Sequence, residues 1–165
     1  MDADFLELLG LGHLATRLPE FWPVSGPHWD GLARAGSKVV LVEAKAHLKE
    51  ATSTPSAASS DKSVDLIARS LNRVKTALKA DNRSDWTRCF YQYANRLAHL
   101  WWLRERQVDA HLLLVGFLND TAVGGPASAD GWDGIYIAIN HALGLSEAHS
   151  LAHHIHHIHP DVARY

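Results

Sequence analysis

An aspartate at position 30 and the triplet Glu43-Ala44-Lys45 bracket a strongly β-prone stretch of the chain, Val39-Val40-Leu41-Val42. Ala35-Gly36-Ser37 supplies a turn between them, so residues near 28–34 and 38–45 read as the two strands of a hairpin. With the turn centred between Gly36 and Ser37, Asp30 falls opposite Glu43. Side chains opposed in this way have Cβ atoms about 4.5–5.5 Å apart, and two facing carboxylates repel unless a cation sits between them. A divalent metal ion answers that requirement. Glu43 and Lys45 are two residues apart and project from one face of the strand, while Val40, Val42 and Ala44 project from the other. An acid and an ammonium thus share a face of an otherwise apolar strand, where polar groups need a reason.

Histidine offers a second candidate chemistry. Six of the twelve histidines fall between 149 and 159, in HSLAHHIHHIHPD. As a helix this segment places His149, His153, His156 and His157 on one face, and histidines four apart can chelate Zn²⁺ or Ni²⁺. As a strand ending at Pro160 it forms no such face. The spacing leaves both open, and no Cys or carboxylate partner of the kind dedicated zinc sites recruit is evident beside it.

The elements that must position the hairpin follow from hydrophobic periodicity. Phe5, Leu6, Leu9, Leu11, Leu14 and Leu18 predict an amphipathic helix over 3–18, ended by Pro19. Residues 49–63 are mostly Ser, Thr, Ala and Pro and read as a mobile loop. Ser63 is a cap candidate for a helix whose buried stripe is Leu66, Ile67, Leu71, Val74 and Leu78, and Ser84 for a second helix running to about Arg106. The short apolar run 110–118 reads as a strand buried on both faces, and 133–143 as a helix closed by Gly144. This order predicts an α/β domain with a small mixed central β-sheet flanked by helices on both faces.

An aspartate on one strand and Glu-x-Lys at the end of the next, with a helix before and a helix and a strand after, resembles the PD-(D/E)XK, or restriction-endonuclease-like, nuclease superfamily. The matching text is Pro27-His28-Trp29-Asp30 and Val40-Leu41-Val42-Glu43-Ala44-Lys45, with Pro27 three positions before Asp30 instead of adjacent to it. The resemblance implies an αβββαβ core and Mg²⁺- or Mn²⁺-dependent hydrolysis of DNA or RNA. It implies Asp30, Glu43 and the backbone carbonyl of Ala44 as metal ligands, and Lys45 orienting the attacking water or the scissile phosphate. Such families often add an acid from the first helix, for which Glu7 is the candidate, and a polar residue from a later helix, for which Gln92 is the candidate, with Tyr91 or Tyr93 beside it. His47 is a further candidate to line the site. The alternative is a nuclease-like fold that is catalytically silent and serves as a binding or structural subunit.

Length and composition bound these readings. The 165 residues, 47% hydrophobic and 21% charged, suit a single domain over 1–165 that buries its own core. One cysteine, Cys89, excludes a disulfide framework, and neither a basic apolar leader nor a membrane-spanning apolar run is present, which predicts a cytoplasmic protein with no membrane partner. The net charge of −2 argues against bulk coating of nucleic acid, but it averages a basic middle and acidic ends. Residues 61–106 carry ten basic and five acidic groups, whereas 109–165 carry one and six. Arg69 and Arg73, four apart on one helix face, and Arg96 are the candidate nucleic-acid contacts, with Arg83 and Arg88 continuing the basic character. Trp22 and Trp29 flank the proposed site and are suited to stacking on a base or sugar. Trp101 and Trp102, adjacent on a helix, point two ways and offer an exposed ring or a homodimer contact.

Overall fold

The computed structural model describes residues 4–24, 26–81 and 84–164, so Arg83 lies outside the described residues. The regular elements are α1 (Asp4–Leu8), β1 (Gly31–Ala35), β2 (Lys38–Lys45), α2 (Asp61–Ala77), α3 (Tyr91–Arg104), β3 (Asp109–Gly116), α4 (Ala129–Ala142) and β4 (Ile155–Ile158), with short 3-10 helices between them. None of the helices is long and apolar enough to cross a membrane.

Local chemistry moves several boundaries. The helix expected over 3–18 is broken at Gly10, whose φ of +70° ends α1, and a 3-10 helix, Gly12–Glu20, continues with Pro19 inside it. Leu6, Leu9, Leu14 and Leu18 still face the core, so the break redirects the chain without losing the apolar stripe. Ser60, three residues before the expected Ser63, caps α2 by accepting the Ser63 N–H at 3.2 Å. α3 starts at Tyr91 and not just after Ser84. Asp85 there accepts the Thr87 amide at 2.9 Å and the Thr87 hydroxyl at 2.6 Å, a local turn that competes with helix, and the same hydroxyl holds its carboxyl below the usual carboxylate range.

The four strands lie in the order β1-β2-β3-β4, with β1 antiparallel to β2, and β2, β3 and β4 mutually parallel. Two strands precede the long helices, where an αβββαβ core has three. The steps from β2 to β3 and from β3 to β4 cross the sheet in the same direction. Two right-handed crossovers of that kind put their helices on one face. Contacts agree: Arg96 of α3 reaches Glu43, Trp132 of α4 lies on Gly116, and Arg34 of β1 donates to the Leu9 carbonyl at 2.8 Å. The expected coverage of both faces is thus corrected. Val40, Val42, Leu113 and Val115 point away from the helices and stand outside the main core cluster.

That core gathers around His99, which is fully buried among Phe5, Phe21, Trp22 and Trp29, with Trp22 closest at 4.9 Å between ring centroids. Its Nδ1 donates to the Asn95 carbonyl at 3.0 Å, and burial pushes the imidazole down to about 3. The folded protein therefore leaves His99 neutral at pH values where the unfolded chain, with a pKa near 6.5, binds a proton. Stability should fall by about 1.4 kcal/mol per pH unit from this group alone as pH drops from about 6.5 toward 3. Urea melts across that window check it: His99→Phe should remove one proton's worth of slope. Trp101 and Trp102 are both buried, Trp101 under Arg73 (5.1 Å) and Trp102 under Arg106 (4.0 Å), so neither supplies the exposed ring or dimer contact expected from their adjacency.

The fit of α4 on the sheet turns on Gly116, where a Cβ would stand 2.5 Å from the Trp132 ring. Gly116→Ala should cost about 1–3 kcal/mol through overpacking, measured as a lowered urea midpoint with an unchanged m-value.

The His-rich segment is split between a 3-10 helix, Ala152–His154, and β4, so only His156 and His157 lie in the strand, on opposite faces. His157 packs on Tyr136 (4.7 Å between centroids), while His156 Nε2 meets His111 Nδ1 at 2.9 Å on the opposite face. The four-histidine helical face does not form. Among the described residues no group of three or more His, Cys, Asp or Glu side chains converges to hold a metal ion.

Candidate active site

The hairpin turns at Gly36, φ +63°, followed by Ser37, and pairs Ala35 with Lys38 and Gly31 with Val42. Asp30 lies one residue beyond the ladder's last pair, across from Glu43. Its amide donates to the Val42 carbonyl at 3.1 Å, and its Oδ2 accepts the Ala44 amide at 2.7 Å. In an antiparallel pair the N–H and C=O of one residue point to the same side, so the Ala44 carbonyl faces the Asp30 side as well.

The two acids sit in different surroundings. Asp30 is exposed, and the Ala44 amide is the one hydrogen-bond partner of its carboxylate among the described residues. Glu43 is 3% exposed, with both carboxylate oxygens engaged by cations: Oε1 by the Lys45 ammonium and Oε2 by Arg96 Nε at 2.5 Å. Arg96 is itself buried, donates to the His28 carbonyl at 2.8 Å and lies 4.7 Å over the Trp29 ring. Glu43 and Lys45 share a strand face as their spacing requires. With Arg96 they make one cluster in which two basic side chains hold a single buried carboxylate.

These groups line one cleft of about 520 Å³, closed on the far side by Ser53, Thr54 and Pro55 and by Tyr91, Gln92 and Asn95 of α3. Gln92, Asn95 and Arg96 share a face because they are three and four residues apart on a helix. Residues 52–60 have no regular structure but are tied to α3 and its approach: Ser53 Oγ accepts the Gln92 amide at 2.8 Å, and the Ser56 amide donates to the Thr87 carbonyl at 2.8 Å. Burial raises the pKa of Tyr91 above the ordinary phenol value, against the opposing influence of Ser56 and Arg96. On the inner side, burial and the Glu43 charge raise that of Tyr136.

Of the residues expected at a site, the cleft brings together Asp30, Glu43, Ala44, Lys45, Gln92 and Arg96. Glu7 lies elsewhere, its carboxylate against Gly12. The His47 ring is turned onto Glu50, 3.3 Å from its Oε1, and does not line the cleft. Arg69 and Arg73 are exposed on α2 outside the cleft. Arg96, expected at a phosphate, is bonded to Glu43 and His28. Asn95 and His28 were not singled out by spacing; the helical repeat from Gln92 carried the signal for Asn95, and nothing local carried one for His28.

The donor types suit a hard cation: two carboxylate residues and the carbonyl-bearing Ala44 line one cleft, and Mg²⁺ takes oxygen ligands while keeping several waters. Asp30 keeps an oxygen unused by the protein's described groups, whereas Glu43 would have to share its own with Lys45. Comparison with family models, curated proteins and solved structures returns no match for this chain.

Proposed function

We propose that this protein is a metal-dependent nuclease of PD-(D/E)XK type that hydrolyses a phosphodiester of DNA or RNA. The observation that carries the reading is the hairpin register, which sets Asp30 across from Glu43 with Lys45 on the Glu43 carboxylate, all on one cleft. Asp30, Glu43 and the Ala44 carbonyl would hold Mg²⁺ or Mn²⁺. Such an ion supplies Lewis acidity toward the phosphate and a more acidic water. Lys45, anchored on Glu43 through one N–H, offers up to two further donors where the phosphate or the attacking water must lie. Arg96 fixes the Glu43 carboxylate from behind, and Gln92 offers an amide to orient water on the opposite wall. The three-strand core that the family order implies belongs to this proposal in a reduced form, with two strands before the helices.

The test is Mg²⁺-dependent cleavage of single- and double-stranded DNA and RNA by the wild type and by Asp30→Asn. Wild-type cleavage rates in Asp30→Asn remove the assignment. A second reading, a silent nuclease-like binding or structural subunit, is favoured by one observation: both Glu43 oxygens are already satisfied by Lys45 and Arg96. It predicts nucleic-acid affinity with no Mg²⁺-dependent turnover on any of the four substrates.

A further inference from the structure

His111 of β3 and His156 of β4 meet on the sheet face opposite the helices, away from the cleft chemistry, with His111 Nδ1 2.9 Å from His156 Nε2. β4 is a four-residue edge strand that pairs with β3 from Leu112 with Ile155 to Val115 with Ile158. The two ring centroids are 5.1 Å apart, close to the most that a 2.9 Å contact between their nitrogens allows, so the nitrogens face each other head-on. That is the geometry of an N–H···N hydrogen bond. Two nitrogens chelating one metal ion would instead turn together toward a point beside the line between them.

Such a bond needs one N–H and one bare nitrogen. A neutral imidazole has a donor and an acceptor nitrogen, whereas an imidazolium has two donors. The contact therefore survives with both rings neutral or with one protonated. With both protonated, two N–H groups and two positive charges stand nose to nose. We propose that this contact is an acid-opened latch on β4, closed while either ring is neutral and open when both are imidazolium. Opening frees the β3 edge along Leu112–Val115, whose backbone groups then face water.

The surroundings favour opening. The carboxylate facing His111 is Asp109, 3.3 Å from its Nε2, and Arg104 already donates to the same Asp109 oxygen at 2.8 Å. Lys38 of β2 is the register partner of Asp109, and the His154 ring lies 5.3 Å from that of His111, with His153 beside it. His157, His159 and Asp133 belong to the other face. Burial holds His111 below the usual imidazole value, with Asp109 opposing and His156 and Lys38 adding to it. The closed form thus excludes a proton that the open form accepts, and its population falls as pH drops below about 6.5.

The experiment is backbone amide exchange of the full chain, read by NMR at about pH 7.5 and pH 5 and corrected for intrinsic exchange chemistry. Amides of β2 report global opening, including the part due to His99, so the measured quantity is β4 protection relative to β2. In the wild type this ratio should fall about tenfold on acidification, the loss of one hydrogen bond. The fall should vanish in His156→Gln, an exposed position, because a glutamine amide turns to donate or accept and suits either state of His111. His111→Gln repeats the test from the other strand. His157→Phe, which keeps a ring on Tyr136, and His153→Gln should both retain the fall. A constant ratio in the wild type, a fall that persists in either glutamine variant of the pair, or one abolished by His157→Phe or His153→Gln overturns the latch.

Discussion

Glu43→Ala should be among the most destabilising single changes in this protein, lowering stability by about 3–5 kcal/mol. Glu43 is the one carboxylate paired with both Lys45 and Arg96, and Arg96 is 4% exposed. Removing one partner from a buried ion cluster leaves the other charges desolvated with nothing to offset them, which is costlier than the pair is stabilising. At about 2–4 °C per kcal/mol for a chain of this size, the thermal midpoint should drop by about 6–20 °C. Two comparisons isolate the cause. Glu43→Gln keeps the shape and an acceptor for Arg96 and should lose less. Pairing Glu43→Leu with Arg96→Met removes the buried guanidinium as well and should recover part of the loss. If Glu43→Ala melts with the wild type, the cluster is not buried as described. Loss of activity in Glu43→Ala is for the same reason poor support for a catalytic role, since a partly unfolded enzyme is also inactive.

Asp30→Asn is the cleaner test of chemistry, and its expected signature is the opposite one. Asp30 is exposed and its described hydrogen bond is the acceptance of the Ala44 amide, which the asparagine oxygen can also make. Stability should change by no more than about 1 kcal/mol, the size of one hydrogen bond. Cleavage should fall by about 10²-fold or more. A metal's stabilisation of transition-state charge is worth several kcal/mol, and each 1.36 kcal/mol is a factor of ten in rate. A Mg²⁺ titration of cleavage should show half-saturation moved to higher Mg²⁺ as well, because a neutral amide is a poorer ligand than a carboxylate. Wild-type rates in Asp30→Asn, in protein that melts normally, would falsify the metal role of this residue.

The hairpin was legible because everything that sets it is local. Gly36 and Ser37 define a two-residue turn, and the period of two along Val39–Lys45 then dictates which side chains share a face and that Asp30 meets Glu43. Helix boundaries were less so. Gly10, Asp85 and Ser60 act through a positive φ, a side-chain turn and a cap, each of which outcompetes periodicity over only a few residues. The histidine segment could not be read, since its spacing suits both periods and its fate as β4 depends on pairing with β3, more than forty residues earlier in the chain.

The sequence alone determined the hairpin, its register, and the common face of Glu43 and Lys45, because a turn and a strand period act between near neighbours. Only the tertiary structure decided that Arg96 closes on Glu43 from α3, that Gln92 and Asn95 form the opposite wall, and that His111 meets His156 across β3 and β4. It also decided that the helices gather on one face and leave Val40, Val42 and Leu113 on the other. Those outcomes follow from strand order and from two parallel crossovers stepping the same way, which join segments far apart in the chain and leave no local trace in its spacing.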